Sequence, residues 1–164
     1  MKVLIIGARG LLGNFLYNSK ELNNKFTILG TTRKKNKKLI TLNLLNKKKI
    51  ANIILKNKID VIINTSGLVD VDKCNKDYKL AKLNNIDTVK NIIYSLNKIK
   101  VRPHLIHFST DQVYNKYKVI NKNYEKSINL VNNYAKSKYF SEKQIAGYKK
   151  KTILRTNFFG SGSK

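Results

Sequence analysis

The feature that most constrains the fold of this chain is an alternation of short apolar runs with amphipathic segments. The first run, KVLIIG (2–7), is continuously apolar, as a strand buried on both faces of a parallel sheet requires. The segment after it, 11–22, spaces its apolar side chains along one buried face of a predicted helix, namely those of Leu12, Phe15, Leu16 and Leu22. The same patterns predict further strands at 25–32, 59–67, 104–110 and 151–156, a short extended piece at 38–45, and further helices at 46–57, 75–98 and 132–149.

Strands that alternate with helices form a parallel sheet with helices on both faces, because the crossovers between parallel strands are right-handed. We therefore predict a Rossmann-like, doubly wound α/β domain over residues 1–164. Ligands of such sheets bind at the carboxyl ends of the strands. The loops that should carry the chemistry begin at Gly7, Thr31, Asn64, Ser109 and Thr156.

The loop GARGLLG (7–13) joins the first strand to the first helix. Gly7 would permit the tight turn, Gly10 would let a phosphate approach the backbone, and Gly13 would let the helix pack closely on the strand. The backbone N–H groups and the helix dipole favour an anion at this position. The loop therefore predicts a pyrophosphate cradle for a dinucleotide, with a plain strand-to-helix turn as the alternative.

Length, cysteine content and hydropathy narrow the class of protein. The 164 residues fit one domain. The single cysteine, Cys74, cannot form an internal disulfide, which is typical of a reducing compartment. The first apolar run is too short for a signal peptide, and no apolar stretch approaches the length of a membrane span. We therefore expect a cytoplasmic protein with no membrane partner.

The formal net charge is +25, from 34 lysine and arginine residues against 9 aspartate and glutamate residues. Such an excess can indicate nucleic-acid binding. The basic residues are nevertheless spread along the whole chain, and the densest runs are RKKNKK (33–38), NKKK (46–49) and KKK (149–151). We interpret the charge as a compositional bias rather than a dedicated nucleic-acid surface, although it attracts phosphate-bearing ligands in either case.

The end of the second predicted strand, GTTRKK (30–35), indicates which cofactor would bind. A carboxylate at this position would bind the ribose 2′-hydroxyl of NAD. Thr32, Arg33 and Lys34 stand there instead, and the Arg33 guanidinium suits a forked contact with a 2′-phosphate. The sequence therefore favours NADPH and leaves NADH open as the second choice.

Tyr134 and Lys138 lie four residues apart on a predicted helix and so share one face. A nearby ammonium favours the phenolate and can supply part of the roughly 4 kcal/mol needed to bring a tyrosine pKa from about 10 to about 7. Tyr134 could then exchange a proton with a carbonyl or hydroxyl group. Ser109 and Thr110 end the preceding strand, where a hydroxyl can stabilise negative charge on a reacting oxygen.

Seven segments extend this pattern along nearly the whole chain: GARGLLG (7–13), LNLL (42–45), VIINTSGLVDVDKC (61–74), LNNIDTVKNI (83–92), FSTDQVY (108–114), NNYAKSKYFSEK (132–143) and ILRTNFFG (153–160). In this order they resemble the motifs of the extended short-chain dehydrogenases/reductases, and most closely those of the dTDP-4-dehydrorhamnose reductases. Related reductases and epimerases of nucleotide sugars share these motifs.

The resemblance implies hydride transfer from NAD(P)H to the 4-keto group of a nucleotide-linked deoxysugar. It makes Tyr134 the proton donor, Thr110 the contact to the reacting oxygen, and Lys138 the residue that binds the nicotinamide ribose and lowers the tyrosine pKa. It also makes Asn85 a structural asparagine. With Arg33 added from the strand end, the implied cofactor-binding residues are Gly7, Gly10, Leu11, Leu12, Gly13, Arg33, Asn43, Leu44, Thr65, Ser66, Gly67 and Lys138. The implied substrate-binding residues are Asp111 and Gln112, and no metal site is predicted.

Some positions depart from the family pattern. Gln112 stands where the family has an aromatic residue near the substrate, and Asn43 replaces an aspartate that contacts adenine. The segment 114–130 lacks the glycines and prolines of the family's loop, with Glu125 at its acidic position. Family members also continue beyond FFGSGSK (158–164) into a smaller lobe that holds the sugar nucleotide.

The resemblance therefore implies a C-terminally truncated member of the family. A homodimer, or a partner that supplies the substrate lobe, is an open alternative to a single chain. A second hypothesis is a non-catalytic NAD(P)-binding protein, either a remnant or a regulator like the regulatory subunit of methionine adenosyltransferase, which resembles the same family. A third is a nucleic-acid-binding protein, which only the net charge favours.

Overall fold

The computed structural model describes residues 1–114 and 128–157 of the chain. Within them, six strands form one parallel sheet in the order β3-β2-β1-β4-β5-β6. This is the doubly wound order, in which the chain leaves β3 at one edge and returns to the other side of β1. The predicted Rossmann-like α/β fold is confirmed. The strands are β1 (Lys2–Ile6), β2 (Thr27–Thr32), β3 (Ile40–Thr41), β4 (Val61–Asn64), β5 (His104–Thr110) and β6 (Lys151–Thr156).

The helices cover both faces of the sheet. They are α1 (Leu11–Asn18), α2 (Lys20–Lys25), α3 (Lys47–Asn57), α4 (Val71–Lys76), α5 (Tyr78–Ala81), α6 (Thr88–Lys98) and α7 (Asn133–Ile145). Several begin at a residue whose side chain accepts a hydrogen bond from the backbone N–H three positions later, which satisfies a donor that the helix itself leaves unpaired. These capping residues are Ser19, Asn46, Asp70, Asp77 and Asn132.

Alternate residues of the central strands supply two apolar cores. Leu4 and Ile6 of β1 face the larger core, which includes Ile54 of α3, Leu96 of α6 and Ile145 of α7. Val3 and Ile5 face the opposite side, where Leu16 and Tyr17 of α1 pack on the sheet. Burial on both faces explains why the strands read as continuous apolar runs. No helix in the described part of the chain is long and apolar enough to cross a membrane.

The element boundaries differ from the predicted ones where side-chain caps interrupt a helix. The predicted helix 75–98 is α4, α5, a π-helical segment (Lys82–Asp87) and α6, because Asp70 and Asp77 each start a short helix before it. Likewise Ser19 ends the first predicted helix and starts α2. Only Ile40–Thr41 of the predicted extended piece 38–45 pairs as a strand. Phe15 was expected on the buried face of the first helix, but it is 72% exposed.

Candidate cofactor and catalytic site

An open cleft of about 710 Å³ lies at the carboxyl ends of β1, β2 and β4. The predicted cofactor-binding residues that line it are Gly7, Gly10, Arg33, Asn43, Leu44, Thr65, Ser66 and Gly67. Leu11, Leu12, Gly13 and Lys138, also predicted to bind the cofactor, do not line this cleft. The topology thus brings four separate segments of the sequence to one edge of the sheet, at the switch point where doubly wound folds bind ligands.

The first and third glycines of the loop are required by the protein itself. Gly7 has φ +90°, in the left-handed region that L side chains rarely adopt. A Cβ added to Gly13 would lie 2.2 Å from the carbonyl oxygen of Gly7 and 2.7 Å from Oγ1 of Thr65. Since neither neighbour can yield that far, Gly13 lets α1 pack against the turn after β1.

Gly10 differs, because nothing in the described protein requires a glycine there. Its φ of −72° and ψ of 164° suit any residue. A Cβ built on it would meet only the Gly7 carbonyl oxygen, at an ordinary 3.4 Å. Gly10 lines the cleft and caps α1, which has no acidic residue in its first turn. The space that its missing side chain leaves open is therefore accessible to a ligand at the positive end of the helix.

The cleft is basic and suits a phosphorylated ligand. Arg9, Arg33 and Lys34 line it, and no aspartate or glutamate is among the described lining residues. Nη1 of Arg33 donates to Oδ1 of Asn84 at 3.2 Å, which ties the end of β2 to the π-helical segment across the cleft. Among the described lining residues, the Arg33 guanidinium and the Lys34 ammonium have the charge that a 2′-phosphate requires, and none is a carboxylate of the kind that binds a ribose 2′-hydroxyl.

Two polar side chains shape the walls of the cleft. Oγ1 of Thr65 donates to the carbonyl oxygen of Ile6 at 2.8 Å, which joins the end of β4 to the end of β1. Oδ1 of Asn43 accepts from the backbone N–H of Leu45 at 3.0 Å, so the exposed Asn43 stabilises its own turn. This turn holds Asn43 and Leu44 at the cleft, where the sequence predicted an adenine contact.

Beyond the cleft, Tyr134 and Thr110 lie together where β5 ends and α7 begins. Tyr134 is buried among Cys74 and Ala81. Burial raises the pKa of Tyr134, and a hydrogen bond with the Thr110 hydroxyl lowers it in part, while the nearby Cys74 and Asp111 raise it. The structure differs here from the expectation that Lys138 lowers this pKa, because the dominant cause is the apolar surroundings. The phenol is therefore protonated at neutral pH and is able to donate a proton.

Lys138 lies one helical turn after Tyr134 on α7 and is only 5% exposed. Its Nζ donates to the carbonyl oxygen of Phe108 in β5, at 2.6 Å. Burial lowers the pKa of Lys138 to about 8, and the carboxylate of Glu142 partly offsets that decrease. Glu142 itself forms an ion pair with Arg155 of β6, at 2.6 Å. The ammonium is thus fixed beside the strand that carries Thr110.

A buried asparagine supports the position of Tyr134. Asn85, in the π-helical segment, accepts from the backbone N–H of Leu68 at 2.7 Å and donates to the Leu68 carbonyl oxygen at 3.0 Å. It also donates to Oγ of Ser137 at 2.8 Å, and that hydroxyl donates to the Tyr134 carbonyl oxygen at 2.8 Å. This geometry agrees with the structural role expected for Asn85.

The predicted substrate-binding residues lie in the short 3-10 turn after β5 (Asp111–Val113). Oε1 of Gln112 accepts from Nδ2 of Asn132 at 3.0 Å, which links this turn to the start of α7. Asp111 is half-buried beside Thr110. The preceding Ser109 is 4% exposed, and its hydroxyl has no hydrogen-bond partner among the described residues. Glu125 and the segment 158–164 lie outside the described residues.

Sequence reasoning missed several residues that line the cleft. Arg9 lies within the glycine loop, and its charge beside Gly10 was a usable signal. Asn84 reaches the cleft from a helix 51 positions after Arg33, so no local pattern could have identified it. The other lining residues that the sequence did not indicate are Ile6, Leu42, Leu45, Leu80, Leu83 and Thr88, whereas Thr31, Thr32 and Lys34 belong to the strand end already singled out for the cofactor.

Several solved structures with the same fold are named as dTDP-4-dehydrorhamnose reductases. The chain is 25% identical to a dTDP-4-dehydrorhamnose reductase from Clostridium acetobutylicum, with a TM-score of 0.78, covering 99% of this chain and 56% of that chain. It is 30% identical to a hypothetical dTDP-4-dehydrorhamnose reductase from Sulfolobus tokodaii, with a TM-score of 0.77 and coverage of 94% and 55%. A Bacillus anthracis dTDP-4-dehydrorhamnose reductase solved with NADP is 24% identical, with a TM-score of 0.76 and coverage of 94% and 52%.

The chain therefore spans about half the length of these solved structures. A search of curated proteins gave no significant match. A comparison with protein families matches residues 1–163 to the family described as the RmlD substrate binding domain. This match covers the described strands, the glycine loop and the Tyr134–Lys138 pair in one continuous stretch. The chain thus belongs to the RmlD substrate-binding domain family, whose fold is that of the sugar-nucleotide reductases and epimerases.

Proposed function

We propose that residues 1–164 form the NADPH-binding, proton-donating domain of a reductase that acts on the 4-keto group of a nucleotide-linked deoxysugar. One observation carries this proposal: a basic cleft, with no carboxylate among its described lining residues, lies at the same sheet edge as the buried Tyr134, Thr110 and Lys138. The names of the related structures from Clostridium acetobutylicum and Sulfolobus tokodaii support the substrate class.

The residues of the cleft would hold the adenosine and phosphate groups of the cofactor. The open space at Gly10 and the N-terminus of α1 would receive the pyrophosphate. Arg33, oriented by Asn84, would make a forked contact with the 2′-phosphate, with Arg9 and Lys34 adding positive charge. When bound, NADPH would supply the hydride that reduces the carbonyl carbon.

The proton would come from this chain. The raised pKa of Tyr134 keeps its phenol protonated, so it would donate the proton to the carbonyl oxygen as negative charge develops there. The neighbouring Thr110 hydroxyl would bind the same oxygen. Lys138 would hold the nicotinamide ribose with an ammonium that is largely charged at neutral pH, because its pKa is about 8.

The cofactor proposal is tested by titrating the purified chain with NADPH while following nicotinamide fluorescence. We expect saturable binding that is tighter for NADPH than for NADH. Arg33→Gln should weaken NADPH binding by about tenfold, the loss of a charged hydrogen bond, and change NADH binding little. A folded chain that does not bind NADPH would contradict the proposal, and equal affinity for both cofactors would contradict the role of Arg33.

The catalytic proposal is tested by adding a dTDP-linked 4-keto deoxysugar and recording NADPH consumption. We expect turnover in the wild-type chain and none in Tyr134→Phe, which keeps the ring and removes the proton. Tyr139→Phe, on the same helix, serves as the matched control. Cofactor binding without any turnover would contradict catalysis by residues 1–164 alone. It would be expected both of a non-catalytic, regulatory protein and of a domain that needs the remainder of the related reductases, of which this chain spans about half the length.

A further inference from the structure

Buried polar groups connect the cleft to α7 through a histidine that the proposed chemistry does not use. Oδ1 of Asn64 accepts from the backbone N–H and the hydroxyl of Ser66, at 3.1 and 2.6 Å. Nδ2 of Asn64 lies 3.1 Å from Nδ1 of His107, and Nε2 of His107 lies 3.1 Å from Oγ of Ser141. The Ser141 hydroxyl donates to the carbonyl oxygen of Lys138 at 2.6 Å.

The donors and acceptors of this network fix the state of the imidazole. A backbone N–H can only donate, so the Ser66 contact assigns the oxygen of the Asn64 amide and turns its NH₂ group toward His107. Nδ1 of His107 must then accept. Because the Ser141 hydroxyl donates its only hydrogen to the Lys138 carbonyl oxygen, it can only accept from His107, so Nε2 of His107 must carry a hydrogen. His107 is therefore neutral and held in the Nε2–H tautomer.

Burial supports the same state. His107 is 1% exposed, and both burial and the charge of Lys138 hold its pKa well below its usual range. Asn64 and Ser141 are also fully buried. A proton on Nδ1 would face the NH₂ group of Asn64, donor against donor. Relief would require the amide to rotate, which would release Ser66 from Oδ1.

We propose that His107 is a positioning residue, which holds the cleft turn 64–67 and the turn of α7 that carries Lys138 in a fixed relative position. It does so through one tautomer of its neutral imidazole, which bonds to Asn64 on one side and to Ser141 on the other. Ser66 and Gly67 line the cleft at one end of the network, and Lys138 stands at the other. The inference rests on the proposed function, since a shared NADPH is what would require both ends to stay in register.

The tautomer is tested without any cofactor. The chain contains two histidines, so long-range ¹H–¹⁵N correlation spectra of the imidazoles are assigned with one His104→Asn variant. His104 lies on the same strand and contacts Oγ1 of Thr152 at 2.8 Å, which makes it the matched control. We expect the neutral Nε2–H form for His107 near pH 7 and still near pH 5.5. An Nδ1–H form, averaging between tautomers or an imidazolium at pH 7 would overturn the inference.

The positioning role is tested with two probes, NADPH and 2′,5′-ADP, which carries the 2′-phosphate end of the cofactor without the nicotinamide ribose. Ser141→Ala breaks only the Lys138 end of the network. It should weaken NADPH binding by about five- to tenfold, the loss of one buried hydrogen bond, and leave 2′,5′-ADP binding within about twofold. His107→Asn keeps an acceptor toward Asn64 and should behave like Ser141→Ala.

His107→Phe removes the contacts with both Asn64 and Ser141, and it should weaken the binding of both NADPH and 2′,5′-ADP. Unfolding by urea shows which variants are folded, and if His107→Phe is not, the other two variants decide the outcome. Unchanged NADPH affinity in folded Ser141→Ala and His107→Asn would show that the network is only structural. If the wild-type chain binds neither probe, the proposed function and the positioning role fail together, while the tautomer spectra separately decide the state of His107.

Discussion

Gly10 and Gly13 lie three positions apart in one loop but are glycine for different physical reasons. Gly13→Ala places a Cβ 2.2 Å from the Gly7 carbonyl oxygen, so we expect it to lower the free energy of unfolding by about 2–4 kcal/mol. Gly10→Ala has room and an ordinary backbone conformation, so the free energy should change by less than about 0.5 kcal/mol. It should nevertheless weaken NADPH binding by at least about tenfold.

Urea unfolding and fluorescence titration of both variants check this pair of expectations. A Gly10→Ala chain that is stable and binds NADPH as the wild type does would show that the open space at Gly10 is not a phosphate site. A Gly13→Ala chain with unchanged stability would show that α1 can move away from the turn at little cost.

Burial of the charged Lys138 side chain should lower the free energy of unfolding of the protein. Its pKa is about 8 in the folded protein and about 10.5 when unperturbed, so between these values the unfolded chain holds a proton that the native chain has lost. The contribution of Lys138 to the free energy of unfolding therefore becomes less favourable as the pH drops from about 10.5 to 8. The full penalty, about 3 kcal/mol, persists at pH 7.

Lys138→Met should consequently raise the free energy of unfolding at pH 7 by about 1–3 kcal/mol, after allowing for the lost hydrogen bond to Phe108. The gain should shrink toward pH 10.5, where the wild-type lysine is neutral in both states. Urea unfolding at several pH values measures it, with the exposed Lys90→Met as the control. A destabilised Lys138→Met at pH 7 would mean that the ammonium is paired well enough to offset its burial.

At the scale of elements, the π-helical segment separates two adjacent asparagines by function. Asn85 is buried and satisfies both backbone groups of Leu68, so Asn85→Ala should lower the free energy of unfolding by about 2–4 kcal/mol. Asn84 is half-buried and contacts Arg33 in the cleft. Asn84→Ala should cost less than about 1 kcal/mol and weaken NADPH binding instead.

Chemical unfolding and cofactor titration of the two variants measure this separation. If both variants lose the same stability and the same affinity, the segment acts as one structural unit. The assignment of separate roles to its two sides would then be wrong.

The strands were predictable, because burial on both faces leaves an unbroken apolar run such as 2–7, and their alternation with helices predicted the doubly wound sheet. The interruptions of the long helix were not. Asp77 reads as one polar residue on an exposed side, and its capping of α5 depends on the local backbone. The exposure of Phe15 was also hidden, because helical spacing does not say how far the sheet extends beneath α1.

The candidate site likewise contains residues that the sequence could predict and contacts that it could not. The glycine loop, Arg33 and the Tyr134–Lys138 pair follow from local spacing and from strand ends. The contacts of Asn84 with Arg33, and of His107 with Asn64, join residues 51 and 43 positions apart, and only the folded sheet brings them together. The raised pKa of Tyr134 likewise depends on burial that the local sequence does not specify.

At the scale of the whole molecule, the net charge of +25 should make stability depend on salt. Many of the few acidic side chains are already engaged: Asp70 and Asp77 cap helices, Asp87 pairs with Lys82, and Glu142 pairs with Arg155. Lysines thus outnumber their partners, and added salt mainly screens repulsion between them.

We therefore expect the melting temperature to rise by several degrees between low salt and about 0.3 M potassium chloride, while NADPH affinity falls. Thermal unfolding with sucrose at matched osmolality controls for general solute effects. A melting temperature that falls with salt would mean that attractive ion pairs outweigh the repulsion.

The open space at Gly10 also bears on how such a chain would change over generations. Selection for a stable fold acts on Gly7 and Gly13, because a side chain at either would strain the turn. Selection for a stable fold does not favour glycine at position 10, because a side chain there would strain nothing in the described protein. Only a ligand that occupies the space would favour glycine. In a lineage that gave up its nucleotide, Gly10 would drift among the first positions while its two neighbours in the motif stayed fixed. A glycine kept at position 10 across related chains would therefore indicate that a ligand occupies this space, independently of what Gly7 and Gly13 indicate about the fold.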